Sequence, residues 1–201
     1  MNVDGGKPTL ANAPEEAPLG HQDPAWRPDG KVIAFTHNAR GSSASRGAPS
    51  VWKYDVSGAH ASPITGGGYE EASWSPNGRY LVVTKTNNQG TDVVVVEVSD
   101  GAEVFRVTTD GRSWAPAWSP NGDEIAYLHD EQGLIDLRVV KLTGVGPGWT
   151  LADTIDMTTN SGLDGDSRPD WFVAPEQRTP MPSAASPTAP TVSGVPPSQI
   201  P

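Results

Sequence analysis

The amino-acid sequence predicts an all-β fold assembled from four-stranded antiparallel blades. A tryptophan-centred motif recurs in register, each copy is followed by apolar or alternating segments and glycine turns, and no helical periodicity interrupts them. The copies read Asp23-Pro24-Ala25-Trp26-Arg27-Pro28-Asp29-Gly30, Glu71-Ala72-Ser73-Trp74-Ser75-Pro76-Asn77-Gly78 and Ala115-Pro116-Ala117-Trp118-Ser119-Pro120-Asn121-Gly122. A truncated fourth reads Arg168-Pro169-Asp170-Trp171, and successive tryptophans lie 48, 44 and 53 residues apart.

Each copy has a mechanical meaning. Pro28, Pro76 and Pro120 preset φ at the first corner of a tight turn, Asp or Asn tolerates the second, and Gly30, Gly78 and Gly122 take the left-handed position. Such a turn joins an inner strand to the second strand of a hairpin. Second strands are predicted over residues 31–36, 79–84 and 123–128, and third strands over 51–56, 92–98 and 135–140. Weaker fourth strands follow near residues 63–65 and 104–108. In the third repeat Gly144-Val145-Gly146-Pro147-Gly148-Trp149 swells the connection, placing a fourth strand near Ile155–Thr158. Four strands in about 45 residues describe a propeller blade. Trp26, Trp74, Trp118 and Trp171 are read as packing between neighbouring sheets, where a large ring fills the gap and its N–H finds a carbonyl.

Residues 174–201 hold eight prolines in 28 residues, with Glu176 and Arg178 the only charges. This composition cannot offset chain entropy and predicts a disordered Pro/Ser/Thr-rich tail outside the fold. The whole sequence of 201 residues has no cysteine, which excludes disulfides, a thiol nucleophile and thiolate metal sites. Fourteen basic against 24 acidic residues leave a formal charge of −10, an unfavourable balance for a nucleic-acid partner. No run of 18 apolar residues predicts a membrane insertion.

The Pro-x-Trp-Ser-Pro-(Asp/Asn)-Gly repeat, followed by a strand such as Val51-Trp52-Lys53-Tyr54-Asp55-Val56-Ser57-Gly58, resembles the WD-like repeats of TolB-type β-propellers. The resemblance covers residues 1–173. It implies that 1–20 close a preceding blade, that blades occupy about 21–68, 69–111 and 112–163, and that 164–173 supply a final inner strand. Three whole blades and two partial ones do not close a ring of the usual four to eight, so the expectation is the C-terminal part of a larger propeller. The family further implies a periplasmic or otherwise extracytoplasmic protein that binds other proteins; the N-terminal residues lack the apolar region of a signal peptide.

Chemistry-bearing motifs are sparse. Gly41-Ser42-Ser43-Ala44-Ser45 misses the final glycine of a nucleophile elbow, and Gly66-Gly67-Gly68 lacks the lysine of a phosphate loop. His21, His37, His60 and His129 show no partner spacing and read as solvated residues of loops or strand ends. The one constellation of note is Asp153, Asp156, Asp164, Asp166 and Asp170, opposed only by Arg168. Asp164-Gly165-Asp166 resembles the start of a calcium loop, with Asp164, Asp166 and Asp170 as candidate ligands, but the closing glutamate of an EF-hand is missing. The loop at residues 38–50 carries Arg40 and Arg46 on a Gly/Ser background and reads as mobile.

The expected function is non-enzymatic protein binding without a cofactor, the acidic surplus meeting a basic patch on a partner. Two alternatives remain at this stage. One is the propeller domain of a prolyl oligopeptidase-type peptidase whose catalytic domain is not in this chain. The other is a metal- or carbohydrate-binding propeller resting on the acidic loop and on exposed aromatics such as Trp149.

Overall fold

A computed structural model describes residues 20–38, 47–172, 174 and 176. The N-terminal segment, most of the first long loop, the glycine-serine run at 41–45 and nearly all of the Pro-rich tail therefore lie outside the described residues. The rest is antiparallel β-structure: sheets of four strands in the orders β1-β2-β3-β4, β5-β6-β7-β8 and β12-β11-β10-β9.

The first blade comprises β1 (His21–Trp26), β2 (Val32–His37), β3 (Ser50–Asp55) and β4 (His60–Pro63). The second comprises β5 (Tyr69–Trp74), β6 (Tyr80–Asn87), β7 (Gly90–Glu97) and β8 (Glu103–Arg106). The third comprises β9 (Ser113–Trp118), β10 (Glu124–Glu131), β11 (Leu134–Thr143) and β12 (Thr150–Asp156). These agree with the expected strands to within a few residues, except that β12 starts at once after the Gly-Pro insertion and ends where the fourth strand was expected to begin.

The repeat turns form as their chemistry requires. Gly30, Gly78 and Gly122 have φ of 69°, 67° and 83°. Their amides donate to the carbonyls of Arg27, Ser75 and Ser119 at 2.9, 2.9 and 3.0 Å, closing a turn with proline at its first corner. The side chains of Asp29 and Asn77 accept the following amides of Lys31 and Arg79, both at 3.0 Å.

Each inner strand also carries a bulge that the repeat pattern did not announce. Register slips between Gln22 and Ala25, between Glu70 and Ser73, and opposite Ala126–Leu128. The bulged residues Asp23, Glu71 and Ala115 have φ of 54°, 56° and 49°. They occupy the same repeat position, three before the tryptophan. Pro24 and Pro116 sit beside two of these bulges, where no ladder amide is needed.

Alternation along the strands divides the core into two inter-blade layers. Val32, Ala34 and Val51 of the first blade pack with Trp74, Leu81, Val83, Val94 and Val96 of the second. The other face of the same second-blade strands, with Tyr80, Val82, Val93 and Val95, packs with Trp118, Ile125, Tyr127 and Val140 of the third. Because both faces of the middle blade are covered, β7 reads as an unbroken valine run rather than an alternating strand. Each such valine contributes about 1.5–3 kcal/mol relative to an exposed one.

Candidate functional site

The tryptophans of the repeat form hydrogen-bonded rungs between blades. The Trp74 indole N–H donates to the Ala25 carbonyl at 3.0 Å, and that of Trp171 donates to Ala117 at 2.9 Å. In both, the acceptor directly precedes the tryptophan of the blade before. Trp118 keeps the position but not the bond: its buried Nε1 has no partner, while its backbone amide donates to Ser73 Oγ at 3.0 Å. Trp74 and Trp118 are 6% exposed, whereas Trp26 is 58% exposed.

The inner strands carry a second set of inter-blade bonds. Thr36 Oγ1 donates to Asp23 at 3.2 Å and accepts the Glu71 amide at 3.1 Å. One blade on, Thr84 Oγ1 donates to Glu71 Oε2 at 2.6 Å and lies 3.0 Å from the Ala115 amide, which also reaches Glu71 at 2.9 Å. Arg168, at the matching position of the truncated repeat, reaches back to donate to the Ala72 carbonyl at 3.0 Å. Thus Asp23, Glu71 and Arg168 share one register along the inner strands.

At the end of the blades where the inner strands begin, an open cleft lies between the first and second blades. Three connections build it: the β2–β3 loop with Asn38 and Gly47–Pro49, the β4–β5 link with Gly67 and Gly68, and the β6–β7 turn with Thr86–Asn88. Gln22 and Glu70 line it from the inner strands. The β4–β5 link is pinned in place, since the Gly68 amide donates to Pro49 at 2.7 Å and the Gly68 carbonyl accepts from Thr86 at 2.8 Å.

Glu70 stands apart from the other acids of this region. Burial, followed by the like charges of Glu71 and Asp23, pushes its carboxyl above the usual range. No cationic side chain among the described residues forms an ion pair with it. Glu71 is occupied by Thr84 and Ala115, and Glu103 by Lys85 and Arg106. The cleft therefore offers one unpaired carboxyl among carboxamides and glycine backbone, suited to a cationic, hydrogen-bonding ligand.

Several expected features fall elsewhere. Among the acidic candidates, Asp156 is paired with Arg138 at 2.7 Å, and Asp164 accepts the Asp166 amide and the Ser167 hydroxyl, both at 3.1 Å. Asp170 accepts the Trp171 amide at 2.8 Å. Among the described residues no group of three or more His, Asp or Glu side chains is placed to hold a metal ion. Trp149 is not an exposed aromatic. It folds back onto Tyr80, Phe105 and Trp118, with ring centroids 4.9, 6.0 and 5.6 Å away.

His60, at the start of β4, is exposed as expected, but the other three histidines differ from the solvated reading. His21 and His37 pair across β1 and β2 with rings 5.0 Å apart, and His37 packs on Trp52 at 4.5 Å. His129 is 1% exposed, with Ser113 Oγ and Asp110 Oδ2 at 3.1 and 3.4 Å from Nδ1. These are the residue types of a hydrolytic triad, but Ser113 is fully buried and its hydroxyl donates to Asp110 at 3.1 Å. The arrangement joins β9 to β10 and presents no nucleophile to solvent.

Sequence reasoning missed a blade-locking device at the same end. Thr65, Thr108 and Thr158 each accept a third-strand amide through Oγ1, from Val51, Val93 and Leu137, all at 2.9 Å. Asp92 and Asp136, each the third residue of its strand, lie near Thr108 and Thr158. Asp136 accepts the Ser161 and Asn160 amides and the Thr158 hydroxyl at 2.9 Å, and the Ser161 hydroxyl at 2.8 Å. The signal was available in the recurring Thr after each fourth strand.

With the blades, turns and inter-blade rungs in place, the class is a β-propeller of TolB type. The TolB beta propeller domain family matches residues 17–147, and the chain belongs to that family. A putative TolB from Agrobacterium tumefaciens superposes with a TM-score of 0.54 at 16% identity, over 69% of this chain and 50% of that one. TolB from Acinetobacter baumannii gives 0.52 at 21% identity, over 64% and 31%. The propeller domain of the Trilobed protease from Pyrococcus furiosus gives 0.52 at 8% identity, over 68% and 42%. The chain thus spans half or less of the length of these structures, and at such identities the likeness is one of fold. No curated protein matches the chain.

Proposed function

We propose that this chain is a non-enzymatic protein-interaction scaffold, a sector of a TolB-like propeller that works outside the cytoplasm. Residues 1–173 make up the propeller sector, with 164–173 serving as the inner strand of a further blade. The Trp171 rung onto Ala117 supports that assignment, because it repeats the Trp74 rung onto Ala25. The extracytoplasmic setting and the binding role follow the TolB likeness.

The partner segment is basic and docks in the cleft between the first and second blades. One observation carries this reading: Glu70 is a half-buried carboxyl without an ionic partner, on a wall shared by loops of two blades. A lysine or arginine entering the cleft would stabilise the charged form that the site itself disfavours. The chain's formal charge of −10 steers such a partner toward it. Fluorescence anisotropy with a labelled lysine-rich peptide tests the proposal. Glu70→Gln should weaken binding about tenfold, in keeping with one lost charge pair of about 1.5 kcal/mol or more. Equal affinity of the two proteins would refute it.

The likeness to the Pyrococcus protease propeller keeps a second reading, a domain that accompanies a peptidase. Such a domain would also hold no catalytic residue of its own, and a separate hydrolase domain in the same polypeptide would distinguish the two.

A further inference from the structure

The rung register is broken at Trp118, and the break coincides with an inserted side chain. Trp74 and Trp171 each donate to the carbonyl just before the tryptophan of the preceding blade, and the same rule gives Trp118 the carbonyl of Ser73. That bond is not made. Trp118 Nε1 and the Tyr80 hydroxyl are both buried without a hydrogen-bond partner, on residues 6% and 2% exposed. The two rings that carry these groups lie against one side chain, Trp149, with centroids 5.6 and 4.9 Å away.

Trp149 fills a space that the first junction fills differently. There the Arg27 guanidinium covers Trp74, 5.8 Å from its ring. Ser75 holds the Arg27 position of the second blade, and its short side chain donates to Asn77 within its own turn at 2.8 Å. Trp118 is left uncovered until Trp149 enters on the Gly144–Trp149 insertion between β11 and β12, with Phe105 as a further wall. Val145 and Pro147 of that insertion are exposed, so Trp149 is the side chain that anchors it to the core. Glycines alternate with them at 144, 146 and 148, and a Cβ at Gly146 would run into the Trp149 ring. Trp149 itself is only partly buried, so the slot it occupies reaches solvent.

The structure assigns this slot as a binding site for a flat, uncharged heteroaromatic ring of indole size that carries a hydrogen-bond acceptor, with Trp149 as its displaceable plug. Trp149 matches the slot in shape but not in chemistry. Its indole nitrogen can only donate, as can that of Trp118, and it leaves both buried groups unpaired. A ring of the same size with an acceptor keeps the aromatic packing and satisfies a donor that is costly to leave unmade. Charge is not called for, since Arg79, 5.1 Å from the Tyr80 ring, is already paired with Glu97. The slot lies where the inner strands end, opposite the cleft beside Glu70, and is independent of what that cleft binds.

NMR of the indole N–H signals in the full chain, carrying isotope-labelled tryptophan, reads the site directly. Quinoline is the probe, because its ring nitrogen accepts; indole, of similar size but donor-only, is the control. Quinoline should shift the Trp118 and Trp149 signals to saturation, and indole should bind at least about fivefold more weakly. Trp149→Ala removes the plug and Gly146→Ala pushes it aside, so each should bind quinoline more tightly than the wild-type chain. Far-UV circular dichroism checks that they fold, and either variant suffices for the comparison. Trp118→Phe and Tyr80→Phe keep a ring and lose a donor, and at least one should erase the preference for quinoline. Trp118 and Trp149 signals that quinoline leaves unmoved in the wild-type chain overturn the inference. Equal affinity for quinoline and indole, or a preference that survives in both phenylalanine variants, overturns it as well.

Discussion

Trp74 is the most informative single position in the inter-blade packing. It is 6% exposed, lies in the layer between the first and second blades, and satisfies the Ala25 carbonyl at 3.0 Å. Trp74→Ala removes a large ring from a site closed by strands of two sheets, which can collapse little, so about 3–5 kcal/mol should be lost. Trp74→Phe keeps most of the ring but leaves the carbonyl unpaired, a cost of about 1–3 kcal/mol. For a chain of this size each kcal/mol moves the melting midpoint by about 2–4 °C. Urea unfolding followed by circular dichroism, with the midpoint and slope fitted separately, checks both values. If Trp74→Ala cost less than about 1 kcal/mol, the tryptophan would not be holding two blades together, and the reasoning from repeat to rung would fail.

Other positions make independent predictions. The Ser161 amide, then the Ser161 and Thr158 hydroxyls and the Asn160 amide, pull Asp136 down to about 2 against the effect of burial. A depressed carboxyl stabilises the fold above its unfolded value near 3.8, and that stability disappears as pH falls toward 2. Asp136→Asn should therefore lower the midpoint at neutral pH and flatten the acid limb of a melting-versus-pH curve. Glu70 has the opposite sign: its raised pKa makes the ionised form costly in the folded state. Glu70→Gln should raise the midpoint at pH 7, and the gain should fade as acid protonates the wild-type carboxyl. Gly90 has φ of 129°, and a Cβ there would run into the Gly111 carbonyl oxygen. Gly90→Ala should cost about 1–3 kcal/mol, measured by the same urea transition.

Much of this architecture was legible in the sequence because it rests on local rules repeated in register. Proline, Asp or Asn, and glycine at fixed offsets specify the turn by themselves, and Gly30, Gly78 and Gly122 adopt the conformation so predicted. The third strand expected over 92–98 is also present, and its valine run fits the two covered faces it has in the fold. What escaped depends on contacts between distant residues. The bulges at Glu71 and Ala115 are tied to the preceding blade by their amides, which donate to Thr36 and Thr84, and nothing in the local sequence requires a left-handed residue there. Trp149 reads as an exposed loop residue until the third blade folds its ring back onto Trp118. His129 likewise looks like a strand-end residue until β9 brings Ser113 against it. The cleft was invisible for a related reason: its walls come from three connections on two blades, and Glu70 is distinguished only by the partner it lacks.

The most direct test of the proposed role is an amide and side-chain NMR titration of the labelled chain with a lysine-rich peptide. The account predicts that shifts concentrate on Gln22, Asn38, Gly67, Gly68, Glu70 and Asn87, the walls of one cleft, and that Glu70→Gln moves them to about tenfold higher peptide concentration. Shifts gathered instead on Asp164 and Asp166, or scattered evenly over the acidic surface, would contradict it.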